Sequence, residues 1–162
     1  MSLMFKVAAL LLGVAPLAVA AETVPSLKRV HAHPVVRGAA GPFASVEVVL
    51  SRPVDYPRQP FSGMVRVQGR TIALPGPDEP AEFFIVEPRA VLLTRVDGSR
   101  RNGLVVLYRS SRIGPGHGTE HRALVYRVEP TRAVRLPALE VLLEGARDAA
   151  TARRLLRAVL AR

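Results

Sequence analysis

Leu104 to Glu129 reads LVVLYRSSRIGPGHGTEHRALVYRVE. Leu104 to Arg109 is the most apolar run downstream of residue 20, and Arg122 to Glu129 is again rich in β-branched and aromatic residues. Between them stand Gly114, Pro115, Gly116 and Gly118. Glycine and proline interrupt regular structure, so the stretch predicts a strand, a long loop from Ser110 to Thr119, and a returning strand. A strand covered on both faces carries apolar residues without alternation, and LVVLYR is therefore expected at the centre of a sheet.

The flanking sequence keeps the same character. Ser45 to Ser51 (SVEVVLS) is rich in β-branched residues and stops at Pro53. Gly63 to Leu74 alternates and is split by Gly69, as two short strands joined by a turn or bulge would be. Glu82 to Glu87 and Ala90 to Val96 read as strands on either side of Pro88. Val134 and Leu136 alternate with arginines as in an edge strand, and Ala138 to Glu144 fits either a strand or a helical turn. No long helix separates the strands, which argues against parallel crossovers.

The C-terminal segment changes period. Ala152, Leu155, Leu156, Val159 and Leu160 fall at helical spacing, and Asp148 stands where a side-chain oxygen caps free N–H groups. The expected product is a mainly β (α+β) domain spanning 43–162. It is an antiparallel β-sandwich or open barrel of about seven strands, with a C-terminal amphipathic helix at 148–161 covering a face or an open end.

Residues 1–20 read MSLMFKVAALLLGVAPLAVA. A cationic start, an apolar run and small residues at Ala18 and Ala20 match a secretory signal peptide cut between Ala20 and Ala21. The apolar run falls short of the roughly 20 residues that a membrane span wants. The expectation is a periplasmic or secreted protein with no transmembrane segment after cleavage. Residues 21–42 then form an extended or partly disordered leader with Pro25, Pro34 and Pro42. Removing residues 1–20 leaves 142 of the 162 residues, enough for one domain with its own core. Cysteine is absent, so disulfides and thiol chemistry are excluded.

The formal charge of +10, or +9 without Lys6, comes from 21 arginines and only two lysines. A basic surface attracts anionic partners. Arginine in place of lysine is also what GC-rich coding produces, and arginines along alternating strands make ordinary solvated faces.

Local motifs for catalysis are missing. There is no Gly-x-Ser-x-Gly elbow and no Ser-x-x-Lys, and Gly114 to Gly118 lacks the lysine of a phosphate loop. Glu79, Glu82, Glu87 and Asp97 are the nearest approach to a carboxylate pair. His31, His33, His117 and His121 offer imidazoles for zinc or copper only if the fold gathers them, and no cofactor is required. Loops mounted on rigid strands are where recognition usually sits. The expected ligand-binding set is therefore Arg109, Ser110, Ser111, Arg112, His117, Glu120 and His121, with the arginines making anion contacts.

DGSRRNGLVVLYRSSRIGPGHGTEHRALVYRVE, about a fifth of the chain, resembles the turn, buried strand, glycine-rich loop and return strand of bacterial periplasmic inhibitors of invertebrate-type lysozymes. The resemblance implies a secreted β scaffold whose loop enters an enzyme cleft. In that family the loop carries a Ser-Gly-x-x-Tyr motif; here Ser110 and Ser111 follow Tyr108, and the motif is absent. The functional expectation is an exported, non-enzymatic binding protein whose partner is another protein or an anionic envelope component, with no nucleic acid. The alternatives are a basic protein holding anionic lipid or polysaccharide, a histidine-based metal protein, or a lysozyme inhibitor.

Overall fold

The computed structural model describes residues 28–55, 59–80, 83–115 and 118–161. The signal-peptide reading at 1–20, the start of the leader, Glu82 and His117 lie outside them.

Nine strands and two helices are present among the described residues. The first sheet uses β1 (Arg29–His31), β2 (Val36–Ala40), β3 (Phe43–Pro53), β4 (Ser62–Val67) and β5 (Arg70–Leu74), all antiparallel. β3 is long enough to take two partners on one edge: β2 pairs with its first half and β1 with its second. Residues 29–31 and 36–40, expected within an extended or partly disordered leader, thus belong to this sheet, and Ala40 is in the core. Gln68 and Gly69, both at positive φ (48° and 73°), close the β4–β5 hairpin in two residues, the conformation that matches strand twist.

The second sheet is a meander of β6 (Phe84–Arg95), β7 (Asn102–Arg112), β8 (Thr119–Val128) and β9 (Ala133–Arg135), in that order. The expected break at Pro88 is absent. β6 runs through it as one strand, with a register shift between Pro88 and Ala90. Proline is tolerated there because β6 is an outer strand, where a missing N–H costs no ladder bond.

The two sheets face each other. Val46, Val48, Leu50, Val65 and Ile72 of the first meet Leu104, Val106, Tyr108, Leu124 and Tyr126 of the second. Gly41 sits where they touch. Its φ is 55°, its N–H donates to Asn102 O at 2.7 Å, and a Cβ there would lie 2.0 Å from Val128 O.

Helices α1 (Pro137–Leu142) and α2 (Ala149–Leu160) cover the other face of the second sheet. Leu143, Ala146, Ala152 and Leu156 pack on Leu92, Val96, Val105, Leu107, Ala123 and Val125. Covered on both sides, β7 buries Gly103 to Tyr108 without a break, which is why its sequence does not alternate. Asp148 caps α2, its Oδ1 accepting from Thr151 N at 2.7 Å. Among the described residues no helix is long and apolar enough to cross a membrane.

Candidate functional site

The loop expected from Ser110 to Thr119 is shorter than that. β7 continues to Arg112 and β8 begins at Thr119, with Ser110 opposite Glu120 and Ser111 opposite Thr119. Polar side chains there do not end the ladder, because β6 pairs with the same residues from the other side: Val86 with Ser110 and Ile85 with Ser111.

Strand alternation then divides the expected binding set between two faces. Val105 and Leu107 face the helices, so Arg109 and Ser111 do too, with His121 and Thr119 opposite them. Tyr108 faces the first sheet, and so do Ser110 and Glu120. Arg112 is exposed at the end of β7, and His117 is outside the described residues. The structure therefore brings Arg109, Ser111 and His121 together and separates Ser110 and Glu120 from them.

The helix-side group occupies a part of the second sheet that the helices do not cover. Arg109 Nη2 is paired with Glu87 Oε2 across β6 and β7. Beyond that pair, Ser111 Oγ and Thr119 Oγ1 lie 3.0 Å apart. Ile85 sits beside Ser111 and is 36% exposed, and Phe83, whose carbonyl accepts from Ile113 N, is 53% exposed. Gly145 N donates to His121 O at 2.9 Å, and a recess of about 530 Å³ is lined by Thr119 to Arg122 and by Glu144, Gly145 and Arg147. The result is a rigid platform with an ion pair, two hydroxyls, an imidazole and two apolar side chains open to a partner.

Ser110 belongs to a different environment. It is 2% exposed, and its hydroxyl has no hydrogen-bond partner among the described residues. Nearby, Glu79 is buried in the strap after β5, and its Oε1 accepts from Tyr108 OH at 2.8 Å and from Arg122 Nη1 at 3.1 Å. Burial first, then the hydrogen bond and charge of Glu79, push the Tyr108 hydroxyl far above its ordinary pKa, so it stays a donor. Arg122 also holds Glu120 at 2.6 Å, and that hydrogen bond raises its own pKa. Arg135 grips Glu140 and Asp78, each at 2.7 Å, and its pKa rises chiefly through Glu140. Glu140 in turn accepts from Val125 N at 3.2 Å, and Tyr126 OH donates to Pro75 O.

Of these groups, Asp78, Glu79, Tyr108, Arg122, Arg135 and Glu140 line a cleft of about 350 Å³ beside β8. Every guanidinium in it is committed to a carboxylate. Chemically the cluster is a clamp: it ties the strap at 75–80 and helix α1 to the β8 edge. Nothing local in the sequence announces the Glu79–Tyr108 contact, which joins residues 29 apart.

The histidines among the described residues are not gathered. His31 lies on β1 of the first sheet and His121 on β8 of the second. Among the described residues no three His, Asp or Glu side chains are placed to share a cation. No family model, curated protein or solved structure matches this chain.

Proposed function

We propose that this chain is an exported, non-enzymatic binding protein that engages a partner protein with the uncovered end of its second sheet. One observation supports this most directly. Phe83 and Ile85 are exposed beside a row of polar groups, Glu87, Arg109, Ser111 and Thr119, on paired strands of one sheet. Interfaces are enriched in aromatic residues and arginine, which Phe83 and Arg109 supply here. The preformed strands also limit the ordering cost of binding.

Export rests on residues 1–20 alone. Expression of the full chain with fractionation and N-terminal sequencing tests it: a soluble envelope form beginning at Ala21 is expected. An uncut chain in the cytosol would overturn it.

The binding surface is tested with purified probes. An invertebrate-type lysozyme is one, since the hairpin resembles inhibitors of that enzyme. A partner taken from envelope extract and then purified is the other. Phe83→Asp with Ile85→Asp is expected to weaken binding at least tenfold while leaving the thermal transition unchanged. Full binding by that double variant would show that the surface is elsewhere.

A further inference from the structure

The outer edge of β6 is guarded along one half and open along the other. Hydrogen-bond parity shows which groups face out. Val125 uses its N–H for Glu140 and its carbonyl for Leu136 N, so it points away from β7. Alternation directs Leu124 and Tyr126 toward β7, Gly103 and Val105 toward β6, and Leu92 and Thr94 back toward β7. Val91, Leu93 and Arg95 therefore present their N–H and C=O groups outward. Among the described residues no hydrogen bond reaches them.

The first half of this edge is closed to pairing. Phe84 N already donates to Pro80 O, Pro88 occupies an outward position with no N–H to offer, and the register shift after it disturbs the line. Prolines and bulges are the usual defences of an outer strand. Val91 to Arg95 has neither.

The open half borders a groove of about 570 Å³ against α2. Arg95 on the strand and Arg153 and Arg157 on the helix line it, together with Leu93, Leu156 and Leu160, and no acidic residue does. None of the three arginines takes part in an ion pair among the described residues. Arg153 and Arg157 stand four apart on the helix, where like charges oppose each other.

We propose that this groove docks an extended acidic peptide. The peptide adds to the Val91–Arg95 edge as a further strand, and its carboxylates meet Arg95, Arg153 and Arg157. Arg153 and Arg157 are about 6 Å apart along the helix axis. Alternate residues of a strand are about 7 Å apart. Acidic residues at i and i+2 are therefore the pair that the two guanidinium groups select.

Two other occupants fit less well. A second copy paired edge to edge would set these arginines against their own equivalents. A lipid headgroup would satisfy the arginines and leave the edge amides without partners.

The test uses the full processed chain and a labelled eight-residue peptide of alternating Thr and Glu, read by fluorescence polarisation. Binding should weaken as salt rises. A Thr–Lys counterpart should not bind. Methylating the amide nitrogens on the pairing side should cost at least tenfold, as should Arg153→Glu with Arg157→Glu. Phe83→Asp with Ile85→Asp should bind the peptide normally, which separates this groove from the platform of the proposed function. Equal binding of the methylated peptide would overturn strand addition. So would anionic phospholipid vesicles that hold the chain through the same arginines while the peptide fails to compete. A dimer in sedimentation that the peptide does not dissociate would also overturn it.

Discussion

The two margins of the second sheet use the same residue in opposite ways. Along β8 and β9, Arg122, Arg127, Arg132 and Arg135 are all paired, with Glu79, Glu120, Glu129, Glu140 and Asp78 as their partners. Along the open half of β6, Arg95, Arg153 and Arg157 face a groove with no carboxylate. The net positive charge of the chain is therefore not evenly spread. Acidic residues are concentrated where strap, helix and strand must be tied together. The contrast sets a margin tied together by ion pairs against one whose arginines are left without carboxylate partners among the described residues.

The largest effect should come from the layer that both margins share. Leu107 is buried between the second sheet and the helices, and Leu107→Ala should cost about 2–5 kcal/mol in urea unfolding. A loss well below that range would mean the helical layer is loosely held, and the β6 groove with it.

The clamp comes next. Glu79→Ala leaves the Tyr108 hydroxyl and one Arg122 donor without their acceptor, which should cost about 1–3 kcal/mol. Glu79→Gln keeps an acceptor and should cost less. Equal losses would assign the effect to charge instead of hydrogen bonding.

Ser110 predicts a change of opposite sign. Its buried hydroxyl has no partner among the described residues, so Ser110→Ala should leave stability level or raise it by about 1 kcal/mol. A clear loss would show that the hydroxyl is engaged.

Replacing both groove arginines, Arg153→Ala with Arg157→Ala, should alter stability by no more than about 0.5 kcal/mol, since exposed sites away from packing rarely do more. A larger loss would make this margin structural and erase the contrast.

The pH-dependent effect belongs to Asp148. Its carboxylate accepts from the Thr151 backbone, which holds its pKa below the ordinary range. A depressed carboxylate stabilises above the unfolded-state pKa of about 3.9 and loses that contribution as pH falls through the folded value. Asp148→Ala should lower Tm slightly at pH 7, and the difference from the parent should vanish at the acid end.

Much of the architecture was legible because period and punctuation agreed. Gly69 marked the β4–β5 turn, and Asp148 with the leucine spacing placed α2, whereas Ala138 to Glu144 fitted a strand or a helical turn until the structure made it α1. Pro88 misled, because one sequence cannot say that its strand is outermost. The site was read less well. Sequence proximity grouped Ser110 with Ser111, and the pleat put them on opposite faces. Glu79 was invisible as the partner of Tyr108, since nothing local announces a contact across 29 positions. The i, i+4 spacing of Arg153 and Arg157 was visible, but it became informative only once a facing strand supplied Arg95.

Neither sheet borrows a strand from the other half of the chain: one is complete by Leu74, and the other starts at Phe84. Each half can therefore assemble its own ladder early during synthesis. Yet the inner face of the first sheet stays wet until Val128 has emerged to complete its cover. Closing the core between the two sheets therefore waits for β8, which contributes Leu124, Tyr126 and Val128 to it.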